Sequence, residues 1–383
     1  MLLVIPHGFE ANFTIGFVRG LTHNGVTLRV ASCAETHARL VQLGIPCENL
    51  FGQRSSSGGR LHKLAQLFRY YGRLLNLLLR HRDATVHFIG VFRGYRAFIE
   101  GPLFAFAFRL LCRRYVYTVH NVLPHGRDHS RAFACLYRFL YRFPHRLLVH
   151  TTVAREQLIR EFHVPPEKLV STSIGLNEDV PDTALSTEAA RARLGFEPGH
   201  RVILFFGKIE PYKGLDVLLA AFDQLGDPVA RLIIAGDAPN SAYREQILAQ
   251  VERSSRRSQI RLEIRHVPNE EVETFFKGAD VLCLPYRNIY QSGLVFLAPR
   301  FGLPMGSTDV GNLRSFIGDA GRGIVADFND APGLAKALSL FFAQRERFPR
   351  EAIIAGVQPY RWETVCRDLV PLYQPAPAAP HSS

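Results

Sequence analysis

Short apolar runs alternate with longer segments of helical periodicity along nearly the whole chain. In the first half, the runs predict buried strands at residues 2–5, 27–31, 86–89, 115–119 and 146–150. In the second half, they predict strands at residues 201–206, 231–235, 260–265, 281–284 and 304–307. Strands that alternate with helices favour an α/β fold, so we expect two doubly wound Rossmann-like domains facing each other across a cleft.

The same pattern sets the expected domain boundaries. We expect an N-terminal domain over residues 1–175, a linker rich in acids, Pro and Gly over 176–200, and a second domain over 201–357. Residues 358–373 are expected to form a helix that packs back towards the first domain. The tail, 374–383, is rich in Pro, Ala and Ser, so we expect it to be disordered.

Composition narrows the class of protein. A chain of 383 residues with 47% hydrophobic residues is long enough for two substantial cores. The six cysteines form no C-x-x-C pair, which argues against a structural zinc site and favours a reducing cytoplasm. Arginines interrupt the best apolar stretch, 103–117, so no membrane-spanning helix is expected.

Positive charge is concentrated in the first half of the chain. Residues 1–175 hold 23 Lys and Arg against 9 Asp and Glu, whereas residues 176–383 hold 23 against 25. The segment 60–80 predicts an amphipathic helix with Arg69, Arg73 and Arg80 on its polar face. Its predicted apolar face consists of Leu61, Leu64, Phe68, Tyr71, Leu75 and Leu78. A basic amphipathic helix can bind an anionic membrane surface or an acceptor there, although it can also face its own core. Single-stranded nucleic acid would also suit basic and aromatic residues, but no recognition motif accompanies them, so we expect no nucleic-acid partner.

The most informative chemical motif lies at residues 205–216, where a predicted strand runs through Gly207 into an amphipathic helix. Lys208 and Lys213 lie between the two elements, at the carboxyl edge of the predicted sheet. Ligands bind at that edge in open α/β sheets, and two cations suit a diphosphate. The alternative is a solvated lysine pair on an ordinary loop.

Further phosphate- and nucleotide-type signals follow in the second half. Gly236 ends a predicted strand and would let a nucleotide approach the backbone, although a tight turn would explain it equally well. Backbone groups near Val267 could pair with a base. Ser292 is the expected N-cap of a helix that begins near residue 294, where amides around Gly293 would attract phosphate.

The chemical candidates of the first half also follow predicted strands. His120 and Asn121 come after the strand at 115–119, and His7 and Gly8 come after the first strand. Together they could position a sugar or an acceptor hydroxyl, although a lone histidine at such a place is often structural.

The order of these motifs along the chain is similar to that of a known protein family. The chain reads strand-to-His-Asn, Gly-Lys-x-x-x-x-Lys-Gly, Ala-Gly-Asp, Val-Pro-x-x-x-Val, Ala-Asp-Val and Ser-Gly-Leu-Val before Gly-Leu-Pro. Over nearly its whole length it resembles the glycosyltransferases of the GT-B fold, especially family 4 and the mannosyltransferases of xanthan assembly. The resemblance implies that Lys208 and Lys213 bind a donor diphosphate, with Lys208 where family 4 usually has arginine. Ser292 and Gly293 would complete the cradle, and His120 would contact the donor sugar.

One departure concerns two glutamates that family 4 enzymes commonly carry eight residues apart. Here Ile289 and Leu297, or Tyr290 and Ala298, occupy those places. Substitute contacts to sugar and ribose would come from Glu210, Asn288, Gln291 and Ser292. An inverting reaction would need a general base, for which His120, Glu10 and His7 are the candidates.

The sequence therefore predicts a metal-independent glycosyltransferase with no cofactor other than its co-substrate, a GDP- or UDP-linked sugar. The expected acceptor is a saccharide or a polyprenyl-diphosphate-linked intermediate of a surface polysaccharide, at the inner face of the cell membrane. Two alternatives remain: a sugar-nucleotide epimerase or hydrolase on the same fold, and a non-catalytic protein that binds sugar nucleotides or anionic surfaces.

Overall fold

The computed structural model describes residues 1–6, 11–50, 60–92, 94–123, 130–289 and 292–374, without the side chains of 34–35 and 60–64. The chain divides into two compact units. The first unit comprises Met1–Gly175 with Tyr360–Ser383, and the second comprises Leu176–Pro359. Most of the tail that we expect to be disordered, residues 375–383, lies outside the described residues.

The first unit is built on a parallel sheet. Its strands are β1 (Leu2–Ile5), β2 (Leu28–Ser32), β3 (Cys47–Asn49), β4 (Thr85–Phe88), β5 (Arg114–Val119), β6 (Arg146–Val149) and β7 (Leu169–Ser171). They lie in the order β3-β2-β1-β4-β5-β6-β7. Its helices, before the chain enters the second unit, are α1 (Ala11–His23), α2 (Ala34–Gln42), α3 (Arg60–Arg80), α4 (Ala97–Leu111), α5 (Arg131–Leu140) and α6 (Thr152–Arg160).

Two apolar layers cover the faces of this sheet. On one face, α3, α4 and α5 contribute Leu74, Phe104 and Tyr137 to a single core cluster with β4 and β5. On the other face, Phe17 and Val18 of α1 pack in a second cluster with β1 and β2. Parallel strands buried on both faces explain the near-continuous apolar runs in the sequence.

The second unit repeats the architecture. Its strands are β8 (Arg201–Phe206), β9 (Ala230–Ala235), β10 (Ile260–Glu263), β11 (Val281–Leu284), β12 (Met305–Ser307) and β13 (Gly323–Val325), in the parallel order β10-β9-β8-β11-β12-β13. Its helices are α7 (Thr187–Arg193), α8 (Leu215–Gln224), α9 (Ser241–Arg253), α10 (Asn269–Gly278), α11 (Leu294–Leu297), α12 (Ala331–Ala343) and α13 (Arg350–Gly356). The expected α/β class with two doubly wound sheets is confirmed.

The segment 176–200 contains α7, which packs against α10. Arg191 of α7 forms an ion pair with Asp280, with 2.6 Å between Nη2 and Oδ2, and both side chains are almost completely buried. The same Asp280 oxygen accepts a hydrogen bond of 2.8 Å from the Val202 backbone N–H. A buried charge pair of this kind ties α7 to the first strand of the second unit.

After the second unit, the chain returns to the first unit and forms α14 (Trp362–Arg367), which packs on α1. Trp362 is only 3% exposed. It lies where a Cβ at Gly16 would be 2.0 Å from its Nε1 and a Cβ at Gly175 would be 2.2 Å from its Cδ2. These two glycines leave the space that the indole fills. Within the described residues, none of the helices combines the length and apolar character that crossing a membrane requires.

Candidate donor site and the histidine edge of the first sheet

The loop after β8 is fixed to the neighbouring strand by its backbone. The Gly207 N–H donates to the Ala235 carbonyl over 2.9 Å, and the Ile209 N–H donates to the Asp237 carbonyl over 2.7 Å. Gly207 has φ +96°, and a Cβ at Gly236 would lie 2.0 Å from the Gly207 carbonyl oxygen. Gly236 is therefore required by this close backbone contact.

The two lysines of this loop occupy different environments. Lys213 ends a single 3₁₀ turn, Pro211–Lys213, and is only 9% exposed. Its Nζ lies 5.8 Å from the centroid of the Tyr286 ring and next to Gly207, where a Cβ would be 2.9 Å from it. Lys208, in contrast, is exposed. The site therefore combines one buried ammonium group and one in water, both just beyond the carboxyl end of β8.

Gly214 makes the position of Lys213 possible. It adopts φ +66°, and a Cβ there would lie 1.9 Å from the Pro285 carbonyl oxygen. The carbonyl of Gly214 then accepts hydrogen bonds from Val217 and Leu218, in the first turn of α8. The turn that carries Lys213 is thus pressed against the loop that follows β11.

Arg287 holds the same turn from the outside. Its Nη1 donates to the Pro211 carbonyl over 2.8 Å and to Asp216 Oδ1 over 2.7 Å, and its backbone N–H donates to the Tyr212 carbonyl. Partial burial would raise the pKa of Asp216, but hydrogen bonds from Arg287 and Tyr243 lower it below its usual value. Asp216 therefore remains ionised and pairs with Arg287.

Tyr286 connects Lys213 to the segment that follows residue 291. Its hydroxyl lies 2.9 Å from Ser292 Oγ, and both side chains are buried. Burial strongly raises the pKa of the Tyr286 hydroxyl, which is neutral. The sequence did not indicate a role for Tyr286 or Arg287, because the residues around them give no sign of the distant groups that they contact.

The predicted N-cap role of Ser292 is wrong. The helix that follows, α11, has only four residues, and the residue that precedes it is Gly293, in a helical conformation without a side-chain cap. Ser292 Oγ turns back to Tyr286 and also accepts a hydrogen bond of 3.3 Å from the Leu294 N–H. Ser292 and Gly293 thus belong to a short turn rather than to the start of a long helix.

The other predicted donor residues lie in several places. Glu210 is half-buried, and its carbonyl accepts the Lys213 N–H over 2.9 Å. Asn288 is exposed after β11, and Val267 is buried after β10, two strand positions from β8. Four predicted site residues lie outside the described residues: His7, Gly8, Glu10 and Gln291.

In the first unit, His120 and the half-buried Asn121 follow β5. The ring of His120 packs edge-on against Phe13, with 4.7 Å between centroids, and lies 5.5 Å from the ring of His150. Burial, and then the charge that His150 would carry, lower the pKa of His120 well below its ordinary value, although a hydrogen bond with the Ile89 backbone raises it. The imidazole is therefore neutral near pH 7.

Two histidines that the sequence did not single out extend this edge. Burial lowers the pKa of His150, after β6, to about 4. The pKa of His87, in β4, falls to about 3 through burial and the nearby His150. His87 Nε2 lies 2.7 Å from Thr118 Oγ1, and its Nδ1 lies 2.9 Å from the Tyr373 hydroxyl. Two of these three neutral histidines, His120 and His150, follow the adjacent strands β5 and β6, whereas His87 lies within β4.

The structure corrects the predicted apolar face of α3. Leu78 is buried as expected, but Phe68 and Leu75 are exposed, and the core face includes Tyr70 and Leu74 instead. The pattern misled because α3 carries apolar residues on more than its core side. Its three arginines, Arg69, Arg73 and Arg80, are exposed, as a polar face requires. Among the described residues, no group of three or more His, Cys, Asp or Glu could hold a metal ion.

Comparisons with known proteins agree with this architecture. The family described as Glycosyl transferases group 1 matches residues 186–355. The D-inositol 3-phosphate glycosyltransferase of Streptosporangium roseum is 29% identical over 248 residues, which are 62% of this chain and 56% of that protein. The protein of the same name from Thermobispora bispora is 29% identical over 244 residues, 60% of this chain and 56% of that protein. The chain thus spans about half the length of these relatives.

Solved structures share the whole fold. A crystal structure of Anabaena Alr3699/HepE in complex with UDP and glucose has a TM-score of 0.73 at 15% identity, covering 97% of this chain and 98% of that one. The crystal structure of WaaG, a glycosyltransferase involved in lipopolysaccharide biosynthesis, has a TM-score of 0.65 at 16% identity, covering 98% of this chain and 100% of that one. These identities establish the fold alone. The chain thus has the fold of the GT-B glycosyltransferases, and its residues 186–355 match the model of the family described as Glycosyl transferases group 1.

Proposed function

We propose that this chain transfers a sugar from a nucleotide-diphosphate sugar to an acceptor, without a metal ion. The observation that carries the proposal is Lys213, a buried ammonium group at the strand-to-helix turn of a glycosyl transferases group 1 segment. Burial strengthens the attraction between this cation and a diphosphate, because less water screens it. In this role Lys213 stabilises the negative charge that develops on the leaving diphosphate.

The neighbouring residues would complete donor binding. Lys208 would contact the diphosphate from the solvent side, and Gly207 and Gly236 would allow the donor to approach the backbone. Amides at Ser292 and Gly293 would add hydrogen-bond donors. Contacts to the sugar, ribose and base would come from Glu210, Val267, Asn288, Gln291, Gly8 and Asn121. Arg287 would have a positioning role, because its hydrogen bond to the Pro211 carbonyl holds the Lys213 turn.

The reaction breaks the bond between the anomeric carbon and the diphosphate oxygen and forms a bond to an acceptor oxygen, whose proton must leave. The lowered pKa of His120 keeps its imidazole neutral, which suits a hydrogen bond to the donor sugar. The same low pKa makes His120 a weak proton acceptor before substrate binds. His7 and Glu10 therefore remain candidates for the general base.

The choice of substrates rests on charge and on the relatives. The UDP and glucose bound in the Anabaena structure favour a UDP-linked donor, with a GDP-linked one as the second candidate. Residues 1–175 carry the excess of positive charge, which suits an anionic acceptor. The relatives are named for inositol 3-phosphate, and a polyprenyl-diphosphate-linked saccharide shares with it negatively charged phosphate and free hydroxyl groups. We place the reaction at the inner face of the cell membrane, with Arg69, Arg73 and Arg80 near the lipid.

A second candidate is a protein that binds the sugar nucleotide without transferring the sugar, or that hydrolyses or epimerises it. The observation that favours it is the buried apolar pair Ile289 and Leu297, at one of the two possible placements of the missing glutamates. Neither side chain can hydrogen-bond a sugar hydroxyl. Product analysis separates the possibilities, because transfer yields a glycosylated acceptor, whereas hydrolysis yields free sugar.

The deciding experiment is calorimetry and thermal shift with UDP, GDP, ADP, CMP and their sugar conjugates. The wild type is compared with Lys213→Met, which keeps the apolar stem, and with Lys336→Ala, which removes an exposed lysine elsewhere in the second unit. We expect one nucleoside diphosphate to bind the wild type and Lys336→Ala, and Lys213→Met to bind it at least tenfold more weakly, as expected for a charge-assisted hydrogen bond. Equal affinity in all three proteins would refute the donor site.

A further inference from the structure

The outer side of α4 carries large apolar side chains in the open. Ile99, Leu103, Phe106 and Leu110 are spaced by four, three and four residues, so they share one helical face. They are between 48% and 77% exposed. The opposite side of α4 is packed in the core through Phe104 and Phe108, so this helix cannot rotate to bury its outer residues.

The adjacent helix α3 extends this apolar surface. Phe68, Leu75 and Leu79 are exposed, and their helical spacing places them on one side of α3, next to Tyr71. The border itself is defined by Tyr71, whose hydroxyl donates to Glu100 Oε1 over 2.6 Å and whose ring lies 5.9 Å from that of Phe104. Because Phe68 and Leu75 are three and four residues from Tyr71, both exposed rows meet at this contact. We name the seven exposed residues of α3 and α4 the outer apolar face.

The outer apolar face is comparable in size to the largest apolar patches found on monomeric proteins. Seven large apolar side chains with these exposures present on the order of 600 Å², at the upper end of the roughly 300–600 Å² typical of the largest patch on a monomer. A patch of this size is often an interaction site. The residues that form it come from two helices whose other faces build the core of the first unit, so the patch belongs to the folded state.

Charge around the outer apolar face indicates what covers it. Arg69, Arg73 and Arg80 are exposed on α3 beside the apolar row, and Arg109 and Arg113 are exposed at the end of α4. Between residues 60 and 123 the sequence has two acids, Asp83 and Glu100. Glu100 is engaged by Arg96 and Tyr71. An apolar surface with a positive border is complementary to a lipid bilayer with anionic headgroups.

We infer that the outer apolar face lies in the headgroup region of an anionic membrane, with α3 and α4 parallel to the bilayer plane. The arginines contact lipid phosphates while the apolar residues enter the acyl boundary. A second copy of this chain is the less favoured occupant, because pairing two such faces would bring their arginines together. The inference deepens the proposed function, on which it rests, by naming the surface that would meet a membrane-borne acceptor.

The first test removes apolar contacts without touching the core. The double variant Ile99→Ser with Leu110→Ser is compared with Phe328→Ser, which changes an equally exposed residue of the second unit. Partitioning is measured on phosphatidylcholine vesicles with and without phosphatidylglycerol. We expect the wild type and Phe328→Ser to bind the anionic vesicles equally, and the double variant to lose about tenfold or more in partition coefficient.

The second test measures whether the outer apolar face enters the bilayer. The chain has one tryptophan, the buried Trp362, which gives a constant background. In a Leu103→Trp variant, brominated lipids should quench the added fluorescence when anionic vesicles are present. In the control, Phe328→Trp, the same lipids should leave the fluorescence unchanged. Quenching at residue 103 alone would place the outer apolar face, rather than any other surface, in the bilayer.

The outcomes separate this inference from the proposed function. Vesicle binding that is equal in the wild type and the double variant overturns the inference. A wild-type oligomer that becomes monomeric in the double variant also overturns it, because a second copy then covers the face. Lys213→Met should keep full vesicle binding, and the double variant should keep nucleotide binding. If no sugar transfer is found while vesicle binding still depends on Ile99 and Leu110, the membrane surface stands and the proposed function fails.

Discussion

Replacing Gly214 with alanine tests whether the Lys213 turn is held by its contact with the loop after β11. Two separate costs are expected. The residue adopts φ +66°, a conformation that costs an L-residue about 1–2 kcal/mol. In addition, the new Cβ would lie 1.9 Å from the Pro285 carbonyl oxygen, although ordinary contacts begin near 3.4 Å. The two atoms nearest to this Cβ, the Pro285 carbonyl oxygen and carbon, belong to the backbone and cannot rotate away. The turn that carries Lys213 and the loop after β11 must therefore move apart.

The collision should add a cost like that of overpacking a core, about 1–3 kcal/mol. We therefore expect Gly214→Ala to lower the free energy of unfolding of the second unit by about 3 kcal/mol in total. For a unit of this size, that corresponds to a fall in Tm of about 6–12 °C. The displacement should also move Lys213 away from Gly207, at the start of the loop after β8, and weaken nucleoside diphosphate binding.

Two glycines of the same unit serve as matched controls. Gly321 has φ +65° but open space around it, so Gly321→Ala isolates the backbone cost. Gly226 has open space and no positive φ, so Gly226→Ala should change stability by less than about 0.5 kcal/mol. Differential scanning calorimetry of the full chain gives Tm, and Trp362 fluorescence follows the first unit separately. If Gly214→Ala falls no further than Gly321→Ala and still binds nucleotide normally, the contact with Pro285 does not hold the turn.

Three further predictions concern charges. Lys213→Met should weaken nucleoside diphosphate binding by about tenfold to a hundredfold, and Lys208→Met by about fivefold at most, because only Lys213 is buried. Calorimetry would measure both affinities, and equal losses in the two variants would contradict the argument. The pKa values of His87, about 3, and His150, about 4, lie below the value of 6.5 in an unfolded chain. Their contribution to stability is therefore complete above about pH 6.5. As the pH falls towards 4, the free energy of unfolding should decrease by about 1.4 kcal/mol per pH unit for each histidine. Urea unfolding followed by Trp362 fluorescence at pH 7, 6 and 5 should show this slope, and His150→Asn should show a smaller one. Asp280→Asn should lower the stability of the second unit by about 3 kcal/mol, since it leaves Arg191 buried without its charge partner; a loss under 1 kcal/mol in thermal unfolding would show that the pair is replaceable.

The sequence predicted the central strands well because burial on both faces produces a strong local signal. The strands at Leu2–Ile5, Arg201–Phe206 and Val281–Leu284 have the predicted bounds. The sequence missed three strands of three residues each, and all three are edge strands of their sheets: Cys47–Asn49, Leu169–Ser171 and Gly323–Val325. Three residues are too few for a periodic pattern, so only their pairing with a neighbour defines them.

The candidate site was predictable where it is local in sequence and not where it depends on packing. Lys208 and Lys213 come from one strand-to-helix segment, whose chemistry is visible in the residues themselves. The contacts of Tyr286 and Arg287 join residues more than 70 positions from that loop, and no local pattern reports such pairing. The exposed row on α4 was also missed, because an apolar residue reads the same in a sequence whether a core or a lipid covers it.

Trp362 follows the second unit in the sequence but packs against Phe13 and Phe17, which precede that unit, and this has a consequence for biosynthesis. The first unit needs α14 to cover Phe13 and Phe17, yet the ribosome must first translate residues 176–359. At about 5–20 residues per second, this takes about 10–40 s. During that interval the nascent first unit has an uncovered aromatic surface, and all residues of the second unit are made before α14. The usual N-terminal-first order is thus reversed for the final step, and the nascent chain is a natural client for chaperones until Trp362 docks.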